Sequence, residues 1–152
     1  MILDLQHIDP QRIAAIDSSG AELRYAEISQ LSKHITSLIP TRSLCFLLVE
    51  NNVGGIAWVM SMLDSRQLVP LILNVKTEDT LYQQLLYTYQ PTYICAPNHF
   101  AVQGEVVDCQ YEYTLTKISN TTPTLHSELS HLLPTSGSTG SPKLVRHKYD
   151  NI

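Results

Sequence analysis

The chain lacks the features of several protein classes. Its longest apolar stretch, residues 44–63, is broken at residues 50–52 and again at Gly54 and Gly55, which predicts two buried elements and no membrane span. The N-terminal residues include Asp4 and Asp9 without a sustained apolar run, so we expect no signal peptide. A net charge of -4 argues against a protein that holds nucleic acid by general electrostatics.

Cysteine and histidine are too few or too scattered to form a recognisable metal or disulfide site. Cys45, Cys95 and Cys109 are odd in number and widely spaced, which predicts buried thiols in a reducing cytoplasm. Of the six histidines, His126 and His131 are five residues apart, a spacing that does not place them on one helix face. We therefore expect a cytoplasmic protein with one hydrophobic core and no metal ligands among these residues.

Helical and strand-like patterns alternate along the first two thirds of the chain. Residues 13–16 and 22–25 predict a hairpin, and apolar residues at helical spacing predict helices over 28–38 and 53–63. Thr77 is predicted to be the N-cap of a third helix that ends before Pro91. Continuous apolar runs predict strands that are buried on both faces at residues 44–49, 68–72 and 92–96.

This alternation predicts the fold class. Two strand–helix–strand crossovers give a mostly parallel sheet in a three-layer α/β unit. Beyond residue 96 we expect shorter strands near Val106 and over residues 111–115, followed by a polar loop over 119–130.

One segment near the C-terminal end carries the chemistry of a phosphate-binding loop. Residues 132–145 read LLPTSGSTGSPKLV. Gly137 and Gly140 allow positive φ and close approach of a ligand, and Lys143 adds a positive charge. The hydroxyl groups and successive backbone N–H groups between them can surround an anion. Since glycine and serine bury little, we expect residues 136–141 to be poorly ordered without a ligand.

Other interpretations of this segment are weaker. A Walker A loop requires G-x-x-x-x-G-K-[ST] before a helix, but Pro142 occupies the second glycine position and Leu144 follows the lysine. The residues that follow predict an extended segment. A flexible linker and an unrelated phosphate or sulfate loop remain alternatives. Arg146 and Lys148 follow Lys143 closely, which indicates either a local positive field or a solvated charged surface.

The segment resembles the signature T-S-G-S-T-G-x-P-K of the acyl-adenylate-forming (AMP-binding) superfamily, which includes acyl-CoA synthetases, peptide synthetase adenylation domains and luciferases. Residues 135–140, Pro142 and Lys143 match, whereas Leu144 replaces the usual glycine and Tyr149 replaces a common histidine. Upstream, residues 23–28 are similar to an early (L)TYxEL segment, and residues 69–71 are similar to a VPL strand end.

The resemblance implies the N-terminal fragment of an AMP-binding domain, residues 1–152, that ends just after the phosphate-binding loop 135–143. The whole enzyme would use ATP with Mg²⁺ to activate a carboxylic acid as acyl-adenylate, releasing pyrophosphate, and commonly pass the acyl group to CoA or a carrier-protein thiol. The family's other catalytic segments lie downstream, so this chain alone would be inactive and its uncovered face would self-associate. The implied ATP-binding residues are Thr135, Ser136, Gly137, Ser138, Thr139, Gly140 and Lys143.

A second class of function is also open. A shortened relative that lacks the catalytic parts would be a nucleotide-binding, phosphate-binding or interaction module. The sequence beyond residue 152 distinguishes the two, because only an enzyme needs the downstream Thr/Ser-Glu segment and a late lysine.

Overall fold

A computed structural model describes residues 5–135 and 144–151, and this part contains nine strands and three α-helices. The helices are α1 (Tyr25–Leu38), α2 (Val53–Ser65) and α3 (Asp79–Tyr89). The strands are β1 (Ile13–Ile16), β2 (Glu22–Arg24), β3 (Ser43–Val49), β4 (Leu68–Asn74), β5 (Tyr93–Pro97), β6 (Glu105–Gln110), β7 (Tyr113–Lys117), β8 (Leu129–Pro134) and β9 (Leu144–Lys148).

Seven strands form one sheet in the order β6-β7-β5-β3-β4-β8-β9, and β1 and β2 form a separate antiparallel pair. The four central strands, β5, β3, β4 and β8, are all parallel. Antiparallel pairs occur only toward the edges, where β7 and β6 follow β5 and where β9 follows β8. The predicted α/β unit with a mostly parallel sheet is confirmed, with the three predicted strands at its centre.

Helices cover both faces of the sheet, which explains the continuous apolar runs. Leu44, Phe46 and Leu48 of β3 belong to the core on the α3 side, together with Leu85 of that helix. The intervening Cys45 and Leu47 belong to the core shared with α1 and α2. Because successive strand residues point to opposite faces, a strand between two helical layers has no polar side.

The helix ends follow local hydrogen bonding. Glu27 accepts a hydrogen bond from the backbone N–H of Arg24 at 2.7 Å, which satisfies one backbone donor at the start of α1. The prediction of Thr77 as N-cap of the third helix is wrong, because α3 begins at Asp79 after Glu78. The Thr77 hydroxyl instead donates to the carbonyl of Asn74 at 2.6 Å and closes the turn that follows β4.

The cysteines divide into two kinds. Cys45 and Cys95 are buried as predicted, but the prediction of a third buried thiol is wrong, because Cys109 is exposed on the edge strand β6. In the described residues no helix combines the length and the apolar character needed to cross a membrane.

Candidate functional site

The carboxyl ends of β3, β4 and β8 meet at one edge of the sheet. After β3 the chain passes to the face covered by α2, whereas after β4 it passes to the opposite face, covered by α3. Two neighbouring parallel strands whose connections leave to opposite faces open a crevice between them, and α/β proteins bind ligands in such crevices. The sheet topology therefore places the candidate site between the ends of β3 and β4.

A cleft of about 540 Å³ lies at this position, and we call it the carboxyl-edge cleft. Its walls are apolar and come from the end of β3 and the outer side of α2, and its rim carries one carboxylate and two amides. The residues that line it are Val49, Glu50, Asn51, Gly55, Ile56, Val59, Met60 and Asn74.

A polar network fixes the segment that joins β3 to α2. The Asn52 amide oxygen accepts hydrogen bonds from the N–H of Gly55 at 2.9 Å and from the hydroxyl of Tyr113 at 2.9 Å. The same hydroxyl accepts a hydrogen bond from the N–H of Glu50 at 3.0 Å. Burial of Tyr113 raises the pKa of its phenol, so this side chain stays neutral and retains its proton. One tyrosine thus holds the start of α2 and the end of β3 together.

Two glycines let the chain approach closely at the same place. A Cβ on Gly54 would lie 2.5 Å from the carbonyl oxygen of Tyr111, and one on Gly55 would lie 2.7 Å from that of Glu50.

Asp17, from the β1–β2 turn, accepts a hydrogen bond from the N–H of Val53 at 3.1 Å. The Ser19 hydroxyl and this N–H lower the pKa of the Asp17 carboxyl, which therefore remains charged at the N-terminus of α2.

A carboxylate and a histidine meet beside the cleft. One oxygen of Glu50 contacts Nε2 of His99, which follows β5, and the other accepts a hydrogen bond from the Asn52 amide at 3.4 Å. His99 is exposed and Glu50 is partly exposed. The carboxylate is therefore engaged on both oxygens by residues that follow β3 and β5.

The predicted phosphate-binding segment connects two described strands at this edge. Pro134, the last residue of β8, pairs with Leu144, the first residue of β9. Leu71 of β4 pairs with Leu132 of the parallel β8, so Thr135, which directly follows β8, lies at the same edge of the sheet as Asn74, the last residue of β4. Thr135 is exposed.

The remaining predicted ATP-binding residues lie outside the described residues, as does the segment whose order we predicted, residues 136–141. These residues are Ser136, Gly137, Ser138, Thr139, Gly140 and Lys143. The extended segment predicted after the lysine is confirmed from Leu144 onward, because β9 is a strand. A Walker A loop leads into a helix, so the structure agrees with the sequence in excluding that motif.

Two basic residues that follow the segment, Arg146 and Lys148, are both exposed on β9, where strand residues two apart are separated by about 7 Å. Lys148 pairs with Leu129 at the opposite end of the hairpin from Pro134. Of these two, only Arg146 is therefore within a few residues of the cleft edge.

Histidines meet elsewhere in the hairpin. The rings of His131 on β8 and His147 on β9 are stacked, with centroids 4.4 Å apart. Burial and the neighbouring His147 lower the pKa of His131, which favours the neutral form of His131. No group of three or more His, Cys, Asp or Glu side chains among the described residues could hold a metal ion.

The carboxyl-edge cleft was missed by sequence reasoning, although a signal for it exists. Glu50, Asn51 and Asn52 directly follow one buried strand, and Asn74 is the last residue of the next. Polar residues at the ends of parallel strands indicate a ligand crevice once the strands are known to be neighbours. In the sequence alone, the interruption at residues 50–52 argues only against a membrane span.

No protein-family model matches the chain, and no curated protein matches it. Solved structures do match. The N-terminal subdomain of NpsA from Klebsiella oxytoca superimposes with a TM-score of 0.66 at 17% identity, over 96% of this chain and 40% of that one. The o-succinylbenzoate CoA synthetase MenE from Bacillus subtilis, in complex with its acyl-adenylate intermediate, gives a TM-score of 0.68 at 19% identity, over 97% and 41%.

A structure of the same MenE with ATP and magnesium ion matches with a TM-score of 0.65 at 18% identity, over 97% of this chain and 42% of that one. The chain has the fold seen at the N-terminal side of adenylate-forming enzymes, as the resemblance in sequence predicted. It spans about two fifths of the length of the chains it matches.

Proposed function

We propose that this chain is the N-terminal part of an ATP-dependent ligase that activates a carboxylic acid as acyl-adenylate and releases pyrophosphate. The observation that carries the proposal is the location of the T-S-G-S-T-G-x-P-K segment. It joins β8 to β9 at the edge of the sheet where α/β proteins bind ligands, in a fold shared with adenylate-forming enzymes. Transfer of the acyl group to CoA or a carrier-protein thiol would complete the reaction.

In this proposal the segment binds the β- and γ-phosphates of ATP. Thr135, Ser136, Ser138 and Thr139 supply hydroxyl donors, while Gly137 and Gly140 keep the backbone N–H groups accessible. Lys143 supplies a charge-assisted contact. By holding the leaving pyrophosphate in place, these groups position the α-phosphorus for attack by the carboxylate and stabilise the charge that develops as its bond breaks.

Mg²⁺ would accompany ATP and neutralise part of the phosphate charge. The described residues offer oxygen atoms at the cleft rim, but the Glu50 carboxylate is already bonded to His99 and Asn52. We therefore assign the metal to no described residue. Two observations support binding of the polyphosphate by this segment: Thr135 follows the carboxyl end of β8, and the exposed Arg146 lies two residues after Leu144.

The proposed site is tested by acid-dependent exchange of pyrophosphate into ATP in the complete protein. Lys143→Ala removes one charge-assisted contact, typically about 1.5–3 kcal/mol, and should slow exchange roughly ten- to hundredfold. Gly140→Val blocks close approach and penalises positive φ, so it should slow exchange by a different route. Lys148→Ala is the matched control, because that lysine lies at the far end of β9.

Unchanged exchange in both variants would exclude the segment as the phosphate site. Residues 1–152 alone should show no exchange with any acid, because the family's other catalytic segments lie downstream. Acyl-adenylate formation by these residues alone would contradict the proposal that they are only one part of the enzyme. Nucleotide binding without exchange in the complete protein would favour the non-catalytic module instead.

A further inference from the structure

At the amino ends of the parallel strands, opposite the carboxyl-edge cleft, one arginine connects four parts of the chain. Arg42 lies between α1 and β3 and donates hydrogen bonds to the carbonyls of Arg66 at 3.1 Å, His126 at 3.0 Å and Leu129 at 2.5 Å. It also donates to the hydroxyl of Tyr149 at 3.5 Å. Its planar guanidinium can serve these acceptors together because its donors form a rigid fork.

These contacts hold the base of the β8–β9 hairpin. Leu129 is the first residue of β8, and the N–H of Tyr149, which follows β9, donates to the carbonyl of Glu128 at 3.1 Å. The buried Tyr149 ring also lies under the guanidinium of Arg66, 4.2 Å from its carbon to the ring centroid. Arg42 therefore ties the start of one hairpin strand and the end of the other to the loops before β3 and β4.

The pairing of β8 with β9 is irregular at the base of the hairpin, where those contacts occur. Leu129 pairs with Lys148 and His131 with His147, so Ser130 is an extra residue in β8. The Ser130 hydroxyl donates to the carbonyl of His147 at 3.0 Å. A shift of one residue would turn Leu144 away from the core on the α3 side and separate the stacked histidines.

We infer that Arg42 is a positioning residue that fixes the register of β8 against β9 and thereby the placement of Pro134 and Leu144 at the carboxyl edge. Its consequence for nucleotide binding rests on the proposed function, because these two residues flank the segment assigned to the phosphates. Arg42 lies at the other end of the strands and acts only through the hairpin.

The stacked histidines report the register directly, through the pKa of His131 measured by NMR on the complete protein with labelled histidine. In Arg42→Gln the stack is lost, and the pKa of His131 should rise toward 6.5, the ordinary value, while the protein stays folded. Arg42→Lys retains the charge but reaches a single carbonyl, so its effect should be intermediate. If Arg42→Gln does not fold, the pKa of His131 in Arg42→Lys still tests the inference.

Arg24→Gln is the matched control. Its guanidinium also donates to a backbone carbonyl, that of Gln11, but Arg24 is the last residue of β2 and lies directly before α1. It should leave the pKa of His131 unchanged. An unchanged His131 pKa in both Arg42 variants, or an equal shift in Arg24→Gln, would overturn the inference.

The affinity for ATP gives the second measurement. Loss of the charge-assisted contacts of Arg42 should weaken ATP binding about tenfold in the folded Arg42→Gln variant, with no change in Arg24→Gln. If the wild-type protein binds no ATP, the proposed function fails, whereas the His131 measurement still tests the role of Arg42. If ATP binds equally to wild type and to a variant with a shifted His131 pKa, the link from register to binding is wrong.

Discussion

The centre of the sheet and its β8–β9 edge are stabilised by different forces. Leu44 to Leu48 of β3 are at most 3% exposed, and helices cover both sides of that strand. In β9, by contrast, three of five residues are exposed, and none of its residues is fully buried. The centre is held by apolar burial, which is spread over many side chains, whereas β9 is held by its pairing with β8, by the partly buried Leu144 and by polar contacts at the base of the hairpin.

Because of this difference, we expect substitutions in the two regions to have different effects. Substitutions at the centre should destabilise the whole domain, because β3 contributes side chains to the cores on both faces of the sheet. Substitutions at the base of the hairpin should leave the core folded but change where the hairpin lies. A segment that binds a ligand can therefore be carried on a sheet edge without being the most stable part of the protein.

The largest expected effect is at the centre of β3. Phe46 is fully buried and its ring packs edge-on against Tyr82, with centroids 6.5 Å apart. Phe46→Ala should reduce the free energy of unfolding by about 3–5 kcal/mol. Val145→Ala, at a 43% exposed position of β9, should change it by less than about 1 kcal/mol, measured by urea denaturation. Equal decreases in the free energy of unfolding would show that the two regions do not differ in their contribution to stability.

A smaller effect is expected at the start of α2. Gly54→Ala forces a Cβ to within 2.5 Å of the carbonyl oxygen of Tyr111 and should cost about 1–3 kcal/mol, despite the better helix propensity of alanine. Gly20→Asn is the contrasting variant, because a Cβ there meets nothing within 4 Å and asparagine tolerates positive φ. A stabilised Gly54→Ala protein would show that this close approach is not required.

The hairpin should respond to pH through its histidines. The pKa of His131 is lowered in the folded chain, so the unfolded chain binds the proton more readily. Above pH 6.5, the ordinary histidine pKa, His131 is neutral in both states and does not oppose folding. As the pH falls through that value, the unfolded chain takes up the proton first, so the folded chain loses stability. Urea denaturation at several pH values should show this loss, and His131→Gln should reduce it. The same pH dependence in that variant would assign it to other groups.

The smallest effect concerns chemistry rather than stability. Burial raises the pKa of the Cys45 and Cys95 thiols, whereas Cys109 is exposed. A thiol reagent should modify one cysteine in the folded protein and three after denaturation, with no change in fold. Cys109→Ser should leave no reactive thiol in the folded state. Rapid reaction of a second cysteine would show that the central strands open readily.

The sequence predicts the centre of the fold because the relevant signals are local. A continuous apolar run records burial on both faces of a strand, as at residues 44–49, and the structure places β3 there. The N-cap at Thr77 failed because a serine or threonine can cap a turn as readily as a helix. The prediction for Cys109 is wrong because this residue lies in an edge strand among polar residues such as Asp108 and Gln110, whereas Cys45 and Cys95 lie in continuous apolar runs.

The candidate site likewise has a part that the sequence predicts and a part that it does not. The Ser/Gly segment can be recognised from its residues alone, since its chemistry lies within nine consecutive positions. The carboxyl-edge cleft requires knowledge that β3 and β4 are neighbours whose connections leave to opposite faces. The contacts of Arg42 join residues up to 107 positions apart, and no local pattern indicates them.

A crystal structure of the complete protein with a non-hydrolysable ATP analogue and Mg²⁺ tests the central claim most directly. The account predicts the β- and γ-phosphates against Thr135–Gly140 and Lys143, at the end of the β8–β9 hairpin beside the carboxyl-edge cleft. Phosphates bound elsewhere, with this segment making no contact to them, would contradict the account.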